Sequence, residues 1–84
     1  MKVVLIAQKR LHDETEKAFV FLTYHHSGKF ISIPKSQIIK PVEFDLIKNE
    51  HNSEECFKFT LSDWIFSKLK DSLSWFNADD IRIL

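Results

Sequence analysis

The residues best suited to catalysis or metal binding in this chain are four histidines and a single cysteine. His25 and His26 are adjacent, so they point apart in a strand or turn, and the sequence has no Cys-x-x-Cys pair. Cys56 falls on an outward position of a predicted strand, where no helix N-terminus lowers its pKa. The single glycine excludes phosphate loops and dinucleotide fingerprints. We therefore expect a non-enzymatic protein with no metal and no other cofactor.

Two tryptophans indicate a surface for a protein partner. If the helix predicted below extends to residue 75, Trp64 and Trp75 are close to three full turns apart. They then share one stripe beside the core face, with Lys68 between them. Tryptophan is enriched at interface hot spots, which favours a binding patch. The alternative is that both rings cover the edge of a sheet, with one side apolar and the other wet.

A second group of aromatic and basic side chains lies in the region 17–35. Proteins that bind single-stranded nucleic acid stack bases on aromatic rings in a cationic groove. The chain has twelve basic and twelve acidic residues, however, and this zero net charge disfavours a general polyanion binder. The alternative is that the aromatic residues form the core. The nucleic-acid hypothesis rests on Phe19, Phe21, Tyr24, Phe30 and Lys29.

The polar step that follows Pro34 has two interpretations. Pro34 lacks an amide donor and ends strand pairing at an edge, so the next three residues form a tight corner of a bent sheet. The corner is compatible with a single turn of helix, and Ile38 and Ile39 then bring the chain back, with at least one of them expected in the core. If the step is instead a presented surface, Lys35 and Gln37 are its best candidates for partner contacts.

Short strands dominate the first 61 residues. They are predicted over 3–8, 17–24, 30–33, 41–48 and 56–61, with 9–16 as a loop and a hairpin turn at Gly28. In the fourth strand, Val42, Phe44 and Leu46 are predicted to point inward. Segment 17–24 is apolar on both faces, so it is central in a curved sheet, covered by the helix, or open to a partner.

One helix follows the strands. Thr60 and Asp63 form a capping-box pattern, and apolar residues then recur at helical spacing. The helix is predicted over about 62–71, or as far as 75, and the tail 79–84 is either a last strand or terminal coil. The fold class is therefore a single α+β domain over residues 1–84. It has a bent antiparallel sheet of about five strands, or a partly open small barrel, and one C-terminal helix.

Cysteine content and hydropathy bear on location and assembly. A lone cysteine fits a reducing compartment, and no apolar stretch reaches the length of a membrane span. We therefore expect a cytoplasmic protein with no membrane partner. Unpaired strand edges allow either a monomer or a homodimer.

Three segments resemble a group of small phage and mobile-element proteins: "ETEKAFVFL", "KFISIPKSQI" and "FTLSDWIFSKL". The resemblance covers about residues 14–70, and its most specific part is the Ile-Pro-Lys-Ser-Gln-Ile step from Ile33 to Ile38. The resemblance implies an inhibitor of a host system that acts in the host cytoplasm. Anti-CRISPR proteins are one class of such inhibitors. The leading hypothesis is thus an inhibitor that binds a host protein complex. Its predicted contact residues are Trp64, Lys68, Trp75, Lys35 and Gln37.

Overall fold

A computed structural model describes residues 1–23 and 28–84, and within these residues the chain forms seven strands in two antiparallel sheets and one helix. Tyr24, His25 and His26 lie outside the described residues. The α+β class is confirmed, but the strand count of about five is wrong, and neither sheet closes into a barrel over the described ranges. The elements are β1 (Lys2–Ala7), β2 (Leu11–Glu14), β3 (Ala18–Leu22), β4 (Phe30–Pro34), β5 (Glu43–Lys48), β6 (Ser53–Leu61), α1 (Asp63–Leu73) and β7 (Ile81–Ile83).

The first sheet is built around the long strand β6, in the order β5-β6-β1-β7. β6 pairs with β1 from Leu61 to Cys56 and with β5 from Lys58 to Ser53. The tail of the chain adds β7 beside β1, so the tail is a strand and not terminal coil. β5 and β7 are therefore the two edges of this sheet.

The second sheet has the order β2-β3-β4, with β3 in the centre. Phe19 and Phe21 of β3 are buried, whereas Val20 between them is half-buried. Both faces of the strand are apolar because it is central and both faces are at least partly covered. A central position is thus the alternative that the structure selects for segment 17–24.

The core lies between the two sheets and under the helix. The ring centroids of Phe19 and Phe21 lie 5.3 and 5.7 Å from that of Phe59 in β6, in edge-to-face geometry. Helix α1 and the turn after it add Leu73 and Phe76 to the same cluster. Each fully buried phenylalanine stabilises the fold by about 1.5–3 kcal/mol through removal of apolar area from water.

A single residue, Ser62, separates the end of β6 from the helix. Ser62 is the N-cap, and its hydroxyl oxygen accepts the amide N–H of Ile65 at 3.2 Å. The predicted capping box of Thr60 and Asp63 is wrong, because β6 continues through Leu61 and buries Thr60. The same hydroxyl donates to Oε1 of Gln37 at 2.8 Å, which ties the polar corner to the helix start.

Loss of this cap gives a first prediction. Ser62→Ala should lower the free energy of unfolding by about 1 kcal/mol, because the Ile65 amide loses its acceptor and Gln37 loses its donor. Urea denaturation measures the change. Ser67→Ala, on an exposed position of the same helix, is the matched control and should be neutral or slightly stabilising. Equal effects of both substitutions would show that Ser62 does not act as a cap.

Segment 9–16 is predicted as a loop. In the structure it begins within a single turn of 3-10 helix at 8–10 and continues into strand β2. β2 pairs with β3 in a register that sets Leu11 opposite Phe21 and Glu14 opposite Phe19. Its side chains from His12 onward are exposed. Polar residues suit a solvated edge strand, so the alternation that would reveal the strand is absent from the sequence.

Two β5 residues that are predicted to point inward are exposed to solvent. Phe44 is 70% exposed and Leu46 is 46% exposed, whereas Ile47 is 1% exposed. Phe44 does lie on the core side of the first sheet, with its ring 5.6 Å from that of Phe57. The rings of the second sheet contact Phe57 but leave Phe44 largely open, because β5 is the outermost strand.

Candidate protein-interaction surface

The most exposed tryptophan of the chain stands on the first turn of α1. Trp64 is 59% exposed, and the Nζ atom of Lys68, one helical turn later, lies 5.4 Å from the centroid of its ring. An i, i+4 pair on a helix is close enough for this cation–π contact. We call these two residues the Trp64 surface. A large aromatic side chain left open to water beside a cation is the kind of group that anchors a protein interface.

Trp75 does not share the helix of Trp64. α1 ends at Leu73 with Ser74 as its C-cap. The regular helical rotation that would place Trp64 and Trp75 on one stripe therefore does not extend to Trp75. Trp75 is half-buried, and the Nζ atom of Lys29 lies 4.6 Å from its ring centroid. Lys29, a candidate for nucleic-acid contacts, is thus engaged with a tryptophan of this chain.

The polar corner makes internal contacts. Residues 35–37 form one turn of 3-10 helix, consistent with a corner. Lys35 donates to Glu14 at 2.8 Å and lies 5.0 Å from the ring centroid of Phe19. Gln37 accepts hydrogen bonds from both the hydroxyl and the amide of Ser62. Gln37 therefore contacts the N-cap of α1, and Trp64 follows that N-cap by two residues. Lys35 instead covers Phe19 of the second sheet.

Among the described residues, the aromatic strand face predicted for nucleic acid is only partly exposed. Phe19 and Phe21 belong to the buried core, so their rings cannot stack on bases in the folded protein. Phe30 is 47% exposed, and its ring lies 4.8 Å from that of His12. The periodicity of β3 is compatible with either a core or an exposed aromatic face, and packing against the first sheet buries Phe19 and Phe21.

Cys56 lies on the predicted face of β6, but this position is not exposed. Its side chain is fully buried with Leu5 and Ile47 in a small cluster on the face of the first sheet opposite the main core. Burial raises the pKa of the Cys56 thiol, and the nearby Asp45 carboxylate raises it further. The thiol is therefore poorly ionised at neutral pH and a weak nucleophile.

A buried ion pair that the sequence does not reveal joins the two ends of the chain. Nε and Nη2 of Arg10 each lie 2.7 Å from Oδ2 of Asp80, and both side chains are almost fully buried. Lys9 contacts Oδ1 of Asp80 at 3.3 Å and Oε1 of Glu54 at 2.9 Å, and its hydrogen bond to Glu54 raises the pKa of Lys9. These charges hold the turn before β7 against the end of β1. At the same place the backbone carbonyl of Asp80 accepts the amide N–H of Ala7 at 2.9 Å.

The described ranges 1–23 and 28–84 also bear on metal binding and on membrane insertion. No group of three or more histidine, cysteine or acidic side chains there has a geometry that holds a metal ion. No helix in those ranges is both long and apolar enough to span a membrane.

Comparison with known proteins adds no family to this description. No protein-family model matches the chain, and no curated protein or solved structure matches it. The likeness to small phage and mobile-element proteins thus stays a prediction from the three quoted segments. The function proposed below therefore rests on the exposed residues of the chain itself.

Proposed function

We propose that this protein is a non-enzymatic binding protein that docks on a host protein complex through the Trp64 surface and inhibits it. The observation that carries the proposal is the 59% exposure of Trp64 on a rigid helix, beside Lys68. Tryptophan offers a large contact area with few rotatable bonds, so little side-chain entropy is lost when a partner covers it.

The position of Trp64 supports a pre-formed site. The N-cap contact of Ser62 and the bond from Ser62 to Gln37 fix the first turn of α1. Ile65, the next residue, is buried in the core and sets the rotation of the helix. A surface held on a helix in this way changes little on binding, which keeps the entropic cost of association low.

The likeness to phage and mobile-element proteins directs the proposal to host defence. In this proposal the chain is an accessory protein of the anti-CRISPR or another anti-defence type. The cation of Lys68 beside Trp64 favours a partner patch that carries both an apolar pocket and a carboxylate.

The experiment that tests the proposal is affinity purification of the tagged protein from a lysate of host cells. We expect a protein partner in stoichiometric amount with the wild type and much less of it with Trp64→Ala, since truncation of a hot-spot side chain costs roughly 2 kcal/mol or more, which is about 30-fold in affinity. Trp64→Ala should leave the unfolding midpoint almost unchanged, because the side chain is mostly exposed.

Phe30→Ala is the matched control, because Phe30 is also an exposed aromatic residue and lies on the second sheet. It should retain the partner. Recovery of no partner, or equal recovery with Trp64→Ala, would contradict the proposal. Recovery of nucleic acid that is lost with Phe30→Ala and at high salt would favour the single-strand binding alternative instead.

A further inference from the structure

We propose that the open edge of β5 pairs with the same edge of a second copy of this chain, around a two-fold axis at Leu46. The two four-stranded sheets would then form one continuous sheet. This inference concerns a different surface from the Trp64 surface and does not depend on it. Either interaction can exist without the other.

The first observation is the composition of the edge strand. Natural proteins protect edge strands with charges, prolines or short length, because an open edge is a template for pairing with another chain. β5 is six residues long and exposes Phe44 at 70% and Leu46 at 46% on one face. The ring of Phe44 extends the aromatic core outward through its contact with Phe57. The edge also carries the charges of Glu43, Asp45 and Lys48, so any pairing with another chain must accommodate those charges as well as the two apolar side chains.

The second observation is the backbone of β5. A strand paired on one side only has the N–H and C=O groups of every second residue on its open side. The N–H of Leu46 donates to Oδ1 of Asp45, its neighbour in the chain, at 2.8 Å. The N–H groups that pair with β6 point toward β6. The N–H of Leu46 binds the Asp45 carboxylate instead, so it points toward the open side of the strand. The open side thus includes Leu46, and by alternation Phe44 and Lys48.

Symmetry limits the ways in which two such edges can pair. A two-fold axis perpendicular to the sheet keeps each residue on its own face, so each residue pairs with one of the same face. An axis at Asp45 sets the two Asp45 carboxylates opposite each other, and an axis at Phe44 sets Asp45 opposite Glu43 of the second copy. Like charges directly opposite destabilise a strand pair.

An axis at Leu46 removes both conflicts and pairs residues 44–48 of the two strands, whereas an axis at Ile47 pairs only residues 46–48, because β5 ends at Lys48. The two Leu46 side chains meet at the centre, and Phe44 lies opposite Lys48 of the second copy on either side of them. A lysine beside a phenylalanine ring gives a favourable cation–π contact. Asp45 lies opposite Ile47, so no carboxylate faces another. The strand therefore supplies its own complement, and this identifies a second copy of the chain as the occupant.

The same geometry sets the strength of the association. Asp45 occupies the amide of Leu46 in the single molecule, and the second copy must displace this carboxylate before the central hydrogen bonds form. We therefore expect reversible dimers that appear with rising protein concentration. Asp45→Ala removes the competing carboxylate and should shift the dimer to lower concentrations by severalfold.

Sedimentation equilibrium of the full chain measures this directly. The mass should rise toward that of a dimer with concentration for the wild type and stay that of a monomer for Leu46→Lys, which sets two ammonium groups face to face. Ile39→Lys is the matched control, since Ile39 is 50% exposed outside β5, and it should dimerise as the wild type does. A monomeric mass for the wild type up to about 1 mM would overturn the proposal.

Disulfide trapping tests the register. In an antiparallel pair the residues on the axis have Cα atoms within the range that a disulfide spans. Mild oxidation should therefore cross-link Leu46→Cys far faster than Asp45→Cys or Phe44→Cys, while the buried Cys56 of the wild type stays uncross-linked. Preferential cross-linking of either of the other two variants would overturn the assignment of the axis to Leu46.

Discussion

Asp80→Ala should lower the free energy of unfolding by about 3–5 kcal/mol, because it leaves the buried guanidinium of Arg10 without its carboxylate. Both nitrogen contacts of Arg10 go to the same oxygen of Asp80, and Asp80 is only 2% exposed. The loss is a large part of the total stability expected for a domain of this size. Urea denaturation followed by tryptophan fluorescence measures it.

Asp79→Ala is the matched control for this effect. Asp79 is the neighbouring aspartate and is exposed, so its replacement should change stability by no more than about 0.5 kcal/mol. A double variant, Arg10→Met with Asp80→Leu, should recover much of the lost stability, since it removes both charges together. A small effect of Asp80→Ala alone would show that water reaches Arg10 and that the pair does not hold the turn.

Phe21→Ala should cost a similar amount, about 3–5 kcal/mol, for a different reason. Phe21 is fully buried, and its ring meets those of Phe59 and Phe76 from the first sheet and the turn after the helix. Its removal leaves a cavity where three parts of the fold meet. If the alanine variant does not fold, Phe21→Leu gives a smaller loss that can be measured by the same denaturation.

Phe30→Ala separates the core from the exposed aromatic residues. Phe30 belongs to the same predicted nucleic-acid face as Phe21 but is 47% exposed, so its removal should cost about 1 kcal/mol or less. Similar stabilities for Phe21→Ala and Phe30→Ala would contradict the placement of β3 in the core.

The fold class follows from features that the sequence carries locally. The continuous apolar run of β3, the alternating apolar residues of β6 and the helical spacing from Ile65 to Phe76 are strong signals, because each element buries a regular set of side chains. The α+β class and the antiparallel pairing could be predicted from these signals. The number of strands could not, because β2 is polar and β7 has only three residues.

The errors in β5 and at the helix start have a common cause. Both positions depend on which strand lies at the edge and where β6 ends, and neither is encoded within the segment itself. Phe44 has the spacing of a core residue and becomes exposed because no layer extends over β5. Thr60 has the spacing of a cap, yet strand pairing with β1 holds it inside the sheet.

The candidate site shows the same division. Trp64 and Lys68 lie within the predicted helix, so their contact could be predicted from spacing alone. The separation of Trp75 from them depends on the helix end at Leu73, and its contact with Lys29 depends on the packing of a distant hairpin. The Arg10–Asp80 pair joins residues seventy positions apart, and no local pattern marks it.

The most direct test of the central proposal is the affinity of the purified partner for three forms of the protein: the wild type, Trp64→Ala and Phe30→Ala. Isothermal titration calorimetry gives the dissociation constant of each form, under conditions in which all three forms are folded. The proposal predicts that Trp64→Ala weakens binding by about 30-fold or more, equivalent to roughly 2 kcal/mol, whereas Phe30→Ala stays within about twofold. Wild-type affinity of Trp64→Ala for the partner would contradict it.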